Sequence, residues 1–319
     1  MTWIASSPQA RREQFGRFLL GTGNIGGIAA VTGPGIGLSD SEGLDLIDRA
    51  IAEGVRILDT ADIYAGGDSE RVVGLWNHAH PDSDVVIQSK TGVTGNGPDL
   101  SPDRVRRQLR HSIDVLGRVD LYTAHAVDPN TPWADSLPVF STAVESGLIR
   151  AYGLSNVDEA ALTSALETAD RLGLVRPELV QNSYSLLVRG DDRSVLPVVA
   201  SEGLAYTPYS PLANGILAGR YSRGEQPAKG SRASTGPRVQ GFLEDVELMA
   251  QVQEFDRLAA AYGVTPAGLA LAWLFNCPSV TAPIIGISSS AQWLGVHEAL
   301  RFEWTAELMA RLDELFPPR

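Results

Sequence analysis

Residues 39–60 read SDSEGLDLIDRAIAEGVRILDT. Ser39-Asp40-Ser41-Glu42 has the form of a capping box, with Ser accepting from a backbone N–H and Glu reaching back to the cap. Leu44, Leu46, Ile47, Ala50 and Ile51 then recur at helical spacing, and Gly54 stands where a C-terminal cap belongs. Arg56-Ile57-Leu58-Asp59-Thr60 follows as a strand. This stretch is one helix feeding one strand, and the rest of the chain repeats it.

Upstream, Phe18-Leu19-Leu20-Gly21 is a short apolar run that enters glycine-rich chain, the first strand. Downstream, Val85 to Ser89 is a strand, and Ser101-Pro102 opens a helix with Ser as N-cap and Pro in the first turn. Val105, Leu109, Ile113 and Leu116 form its stripe, and Gly117 ends it. Further strands span Val119 to His125, Ile149 to Ser155, Leu179 to Gln181, Leu204 to Tyr209 and Ala282 to Ile287. Helical stretches separate them: Trp133 to Glu145, a run through Leu162, Leu166 and Leu172, Val195 to Glu202, Val246 to Tyr262 and Ala267 to Phe275.

Alternating strand and helix implies a parallel sheet with right-handed crossovers, and eight units close naturally into a (β/α)8 TIM barrel. The expectation is one α/β domain over residues 1–319. An open doubly wound sheet is the competing architecture. It lacks its glycine signature here, because Gly21-Thr22-Gly23 is too short and Gly33-Pro34-Gly35 interrupts any helix. Residues 213–244, rich in Gly and Pro, break the rhythm after the seventh strand. A loop of this length without its own periodicity is expected to be functional or disordered, and in a barrel it would lie over the active-site mouth.

The chain has 319 residues and a net charge of −12, which argues against nucleic acid or an anionic membrane as partner. No stretch has the length of a membrane span, and the N-terminus lacks the apolar core of a signal peptide. Cys277 is the only cysteine, so no intrachain disulfide and no cysteine-based metal cluster is expected. A cytoplasmic setting and a small-molecule partner follow as expectations, with no metal. Homo-oligomerisation stays open.

Barrel chemistry sits at the C-terminal ends of the strands. Asp59, Lys90, His125, Asn156, Gln181 and Tyr209 close or follow successive strands, and Tyr64 lies just past Asp59. Lys90 is one of only two lysines, the other being Lys229; every other fixed cation is Arg. An ammonium kept against that habit suggests a position Arg cannot fill. Asp59, Tyr64, Lys90 and His125 make chemical sense together. A free tyrosine has a pKa of about 10, a nearby ammonium favours its phenolate, and a buried ammonium needs a carboxylate partner. A neutral His can orient a carbonyl oxygen. This is equipment for protonating a ketone or aldehyde oxygen as hydride reaches carbon, and no side chain supplies hydride.

Leu58-Asp59-Thr60-Ala61-Asp62-Ile63-Tyr64 with Ser69-Glu70 resembles the aldo-keto reductase signature. So do Gln88-Ser89-Lys90, Asp120 to His125 with Asp128-Pro129, Gly147 to Asn156, Gln181 to Leu186, Tyr209-Ser210-Pro211-Leu212 and Pro283-Ile284-Ile285-Gly286. In this order they cover the chain from about Leu19 to Leu300, nearer to the potassium-channel β-subunit branch than to the short aldose-reductase type. The resemblance implies Tyr64 as general acid, Lys90 as its activator, Asp59 as the partner of Lys90, and His125 as the group that orients the carbonyl. It implies Ser155, Asn156 and Gln181 around the nicotinamide carboxamide and Tyr209 on its ring. Gly21 and Thr22 would approach the cofactor. Ser210, Leu212, Gly215 and Leu217 would line the pyrophosphate, with Gly286, Ser288, Ser289 and Gln292 around the adenosine.

Two stretches depart from the family pattern. Ser288-Ser289-Ser290-Ala291-Gln292 lacks the Lys or Arg that grips the 2′-phosphate in many members, and Gly295-Val296 replaces a common Glu-Asn. The resemblance favours NADP(H); the missing cation admits NAD(H), with Arg220, Arg232 and Arg301 as substitutes for the grip. The usual Tyr-Gly becomes Tyr64-Ala65-Gly66-Gly67, which alters the substrate mouth. The expected activity is NAD(P)H-dependent reduction of a ketone or aldehyde, with a sugar or polyketide ketone of secondary metabolism in view. The alternatives are NAD-dependent oxidation of a sugar and a cofactor-sensing binding subunit. Trp76 and Trp133 are candidates for the substrate pocket.

Overall fold

Among the residues described by a computed structural model (2–33, 36–221 and 237–318), eight parallel strands form one curled sheet. They are β1 (Leu19–Gly21), β2 (Ile57–Asp59), β3 (Val86–Thr91), β4 (Leu121–Ala124), β5 (Ala151–Ser155), β6 (Leu179–Gln181), β7 (Ala205–Tyr206) and β8 (Ile284–Ile285). From β1 to β7 each strand pairs with the next in sequence, and β8 pairs with β1. The remaining seam is closed by two backbone bonds, Thr281 N to Tyr206 O and Ile284 N to Pro208 O, both 2.8 Å. The expected (β/α)8 barrel is the architecture found.

Side chains alternate along a strand, and here the alternation separates two cores. Leu19, Ile57, Val86, Leu121, Ala151, Leu179, Ala205 and Ile284 pack together inside the barrel. The next residue of each strand, from Leu20 and Leu58 to Tyr206 and Ile285, points outward into the shell of helices. Two positions on from the apolar inner layer, the chain places Gly21, Asp59, Gln88, Thr123, Gly153, Gln181, Thr207 and Gly286 on the inner face. Polar chemistry thus concentrates toward the C-terminal mouth while the N-terminal end is sealed.

The seal is a segment with no signal in the strand–helix rhythm. Ile4 and Phe15, the latter on helix Pro8–Phe15, join the inner apolar layer. Glu178 accepts from Trp3 N at 3.2 Å and Ile4 N at 2.6 Å.

The capping box at Ser39 forms as expected. Ser101 does not cap with its side chain; its own N–H instead donates to Asp99. The predicted loop 213–244 is partly regular. Ala213–Ala218 is a 3-10 turn and Pro237–Glu244 a helix, while 222–236 lie outside the described residues, as does Arg232. Trp76 faces away from the barrel mouth. It is buried on helix Asp68–Ala79 and donates to Asp48 at 2.7 Å. Among the described residues no single helix is long and apolar enough to cross a membrane.

Candidate active site

Six described residues other than glycine have left-handed backbone: Ala29, Ala65, Asn156, Ser210, Ala213 and Asn214. All follow the C-terminal ends of β1, β2, β5 or β7. Such conformations cost about 1–3 kcal/mol each and collect where function over-determines the backbone. The strain alone therefore marks the mouth of the barrel.

Tyr64 opens a 3-10 turn, Tyr64–Gly67, in which Ala65 has φ 53° and Gly66 φ 66°. Neighbouring loops impose that turn. Ala65 N donates to Ala29 O at 2.6 Å, and Tyr64 N to Ala61 O at 3.1 Å. Below it, the buried hydroxyl of Ser69 lies 2.8 Å from Thr22 Oγ1 and 3.0 Å from Thr60 Oγ1, and donates to Thr22 O at 3.0 Å. Thr22 also donates to Asp59 O, so its hydroxyl serves to hold the loop. Ser69 stood in the sequence only as part of a motif; its role as a hub needs the contacts of β1, β2 and helix Asp68–Ala79 at once.

Lys90 is fully buried, and its three N–H donors meet three acceptors: Asp59 Oδ2 at 2.8 Å, Thr60 O at 2.6 Å and Tyr64 OH at 3.4 Å. Its ammonium also lies 4.8 Å from the Tyr64 ring centroid. A planar guanidinium fork would not match this convergent set, which accounts for lysine here. Burial acts to deprotonate Lys90, but the charges of Asp59 and Tyr64 and their hydrogen bonds hold it above the usual lysine range. Burial raises Asp59, and Lys90 and Gln181 pull it back. Both Asp59 oxygens accept, one from Lys90 and one from Gln181 Nε2 at 3.1 Å, which is the pattern of an ionised carboxylate. The pair is an ion pair.

His125 sits edge-on to Tyr64, with centroids 5.8 Å apart at 80°. Burial, then the charge of Lys90, push its imidazole down to about 3, so it is neutral at physiological pH. Its Nδ1 is buried without a hydrogen-bond partner among the described residues. A neutral imidazole keeps one N–H, so the ring can donate to, but not ionise beside, an oxygen placed next to Tyr64.

Ser155, Asn156, Gln181 and Tyr209 form one connected group. Ser155 Oγ donates to Gln181 O at 2.6 Å; Asn156 Nδ2 donates to His125 O at 2.8 Å; Tyr209 OH donates to Asn156 Oδ1 at 2.6 Å. Gln181 thus touches both this group and Asp59, a link across 122 residues of sequence that no local pattern announces. Two amides and a hydroxyl beside an aromatic ring suit a flat carboxamide-bearing ring such as nicotinamide. The adjoining wall is bare: a Cβ on Gly286 would find nothing nearer than Gly21 O at 3.8 Å, whereas one on Gly21 would meet Ile284 at 2.9 Å.

Beyond Tyr209 the chain coils tightly through Ser210, Ala213, Asn214 and Gly215, all at positive φ. Leu217 is fully buried in the core, while Leu212 is half-buried. After β8, Ser288 N donates to Gln292 Oε1 at 2.7 Å, folding that side chain back onto the loop, and Ser289 precedes the turn Ser290–Gln292. Trp133 lies at the start of helix Trp133–Glu145, partly buried against the core.

The model of the aldo/keto reductase family matches residues 19–316. A Schizosaccharomyces pombe protein assigned to the voltage-gated potassium channel β subunits is 30% identical over 282 residues, covering 82% of this chain and 80% of that one. The NADH-specific methylglyoxal reductase of Escherichia coli is 28% identical over 295 residues, 86% of this chain and 87% of that protein. A glycerol dehydrogenase structure from Gluconobacter oxydans superposes with a TM-score of 0.80 at 24% identity, covering 96% of this chain and 93% of that one, a likeness of fold.

Proposed function

We propose, from the premise that the chain belongs to the aldo/keto reductase family and is an NAD(P)H-dependent carbonyl reductase, that Tyr64 protonates the oxygen of a small ketone or aldehyde held between it and His125. The observation that carries this reading is the Lys90 ammonium, shared between Asp59 at 2.8 Å and the Tyr64 oxygen at 3.4 Å. As Tyr64 gives up its proton, the charge left on its oxygen is met by an ammonium already in place. That pre-positioning means little has to reorganise at the moment of reaction. Neutral His125 donates to the same carbonyl oxygen and fixes its direction. Asp59 keeps Lys90 charged where burial shields the ammonium from solvent.

A nicotinamide cofactor, when bound, would supply the hydride. Ser155, Asn156 and Gln181 would hold its carboxamide, with Tyr209 against its ring, Gly21 and Thr22 alongside, and Gly286, Ser288, Ser289 and Gln292 at its adenosine end. Tyr64→Phe tests the assignment. Loss of an acid of this kind lowers kcat by about 10²- to 10⁴-fold, with cofactor affinity retained. Full turnover by Tyr64→Phe on a carbonyl substrate would remove Tyr64 from the role.

A second reading, NAD-dependent oxidation of a sugar hydroxyl, is favoured by one feature: residues 286–296 contain no Lys or Arg to meet a 2′-phosphate. The relative named as an NADH-specific methylglyoxal reductase bears on the cofactor alone, against the NADP(H) preference expected from the resemblance. NADPH and NADH affinities compared by fluorescence titration decide it, and a strong NADPH preference would eliminate the NAD-dependent reading.

A further inference from the structure

Asp62 belongs to no step described so far, yet it is tied to the site from both ends. Its backbone N–H donates to Lys90 O at 3.1 Å. Its Oδ2 accepts from Thr91 Oγ1 at 2.8 Å and lies 3.4 Å from Arg104 Nη2. The residue two before Tyr64 is therefore fastened to Lys90 and Thr91, the two residues that end β3. Only 3% of the Asp62 side chain is exposed. The rest of the Tyr64 turn is held from the other side, by Ala29 and by the Ser69 hub; toward β3 the chain is tied at Thr60, whose N–H donates to Gln88 O at 2.9 Å, and last of all at Asp62, the tie nearest Tyr64.

We propose that Asp62 is a positioning residue for carbonyl reduction: as a carboxylate held by Thr91 and Arg104 it sets Tyr64 against Lys90, and turnover requires it ionised. The inference rests on the function proposed above. The groups that face Asp62 are Glu70 from helix Asp68–Ala79, Arg104 from helix Pro102–Leu116 and Tyr122 from β4, with Lys90 beside it on β3. Glu70 is itself buried, donated to by Ser89 at 2.5 Å and near His111. Burial first, then the charge of Glu70, push Asp62 up to about 6, against Thr91 and Arg104. When Asp62 gains a proton, the charge that holds Arg104 on helix Pro102–Leu116 is lost, and the charge-assisted bond from Thr91, which is the side-chain tie to β3, weakens. The Lys90–Tyr64 contact, already 3.4 Å long, is then the first to open. Displacements of about 1 Å at such a contact can cost on the order of 100-fold in rate. His125 does not account for an acid limb near 6, because burial and the charge of Lys90 push its imidazole down to about 3.

The test is kcat for reduction of a carbonyl substrate between pH 5 and 8 for wild type, Asp62→Asn and Arg104→Leu, with melting temperature and cofactor affinity measured alongside. A single ionisation near 6 lowers wild-type kcat about fourfold between pH 7 and pH 5.5. Asp62→Asn is expected to have kcat at least about tenfold lower at pH 7 and to lose that fall. Arg104→Leu removes a cation from the carboxylate and moves the fall to higher pH. A merely structural role for Asp62 would leave the midpoint where it is. An acid limb unchanged in Asp62→Asn, or unmoved in Arg104→Leu, overturns the proposal; should Asp62→Asn not fold, the Arg104→Leu midpoint alone decides. If wild type reduces no carbonyl at any pH, the proposed function fails instead.

Discussion

Replacing Lys90 by Met keeps the length of the side chain and removes its charge. Asp59 then stays buried, with Gln181 as its remaining side-chain donor. The side chains of Lys90 and Asp59 are 0% and 3% exposed and 2.8 Å apart, so solvent cannot take over from the lost ammonium. Removing one partner of such a pair costs about 3–5 kcal/mol. The deficit should depend on pH with a definite sign. Without Lys90, burial acts on Asp59 almost unopposed, so the folded protein binds the Asp59 proton more tightly than the unfolded chain does. A carboxyl whose pKa is raised on folding adds stability as pH falls through the folded value, by up to about 1.4 kcal/mol per pH unit. The Lys90→Met deficit is therefore largest at neutral pH and shrinks on acidification toward pH 5. Adding Asp59→Asn removes the stranded charge and restores most of the loss. Urea denaturation followed by tryptophan fluorescence at pH 8, 7, 6 and 5 measures wild type and both variants, with carbonyl reduction abolished in the variants and cofactor binding retained. A deficit under about 1 kcal/mol at pH 7, or one that grows as pH falls, refutes the reasoning, because a buried carboxylate stripped of its cation cannot behave that way.

Two further outcomes concern the frame. Gly74→Ala puts a Cβ 2.1 Å from the Val115 carbonyl oxygen on the neighbouring helix, a backbone atom that cannot swing aside; a loss of about 1–3 kcal/mol in urea denaturation is expected. Wild-type stability would mean that the two helices separate freely. Glu178→Ala strands the N–H groups of Trp3 and Ile4, with an expected loss of about 1–3 kcal/mol and faster hydrogen exchange over residues 2–16, while kcat at the far end of the barrel stays unchanged. Unaltered exchange there would show that apolar contacts alone hold the seal.

All eight strands were readable because each is a short apolar run bounded by helix ends and glycines. Helix Asp68–Ala79 was not. It begins straight after Gly66-Gly67, carries Gly74 in its middle, and takes its stability from Val72, Val73 and Trp76 packed on neighbours. Helix Pro8–Phe15 has only Arg11 and Phe15 buried, so its pattern carried no amphipathic signal; it exists because Phe15 fills the end of the barrel. Likewise the hairpin of Val93–Thr94 with Gly97–Pro98 is two residues per strand, below the length at which alternation can be recognised.

The candidate site divides in the same way. A two-residue period carries Asp59 and Gln181 to the inner face of their strands from apolar residues in the layer beneath, so the sequence alone determined which side chains share the barrel mouth. It also determined their chemical types, and with them the class of reaction. Which atoms meet was decided by the closed barrel. Gln181 reaches Asp59, Tyr209 reaches Asn156, and Asp62 reaches Arg104 only because parallel strands far apart in sequence end at one rim. The environment that keeps Lys90 charged and His125 neutral is likewise a property of that rim, since both states follow from burial and from charges brought in by other strands.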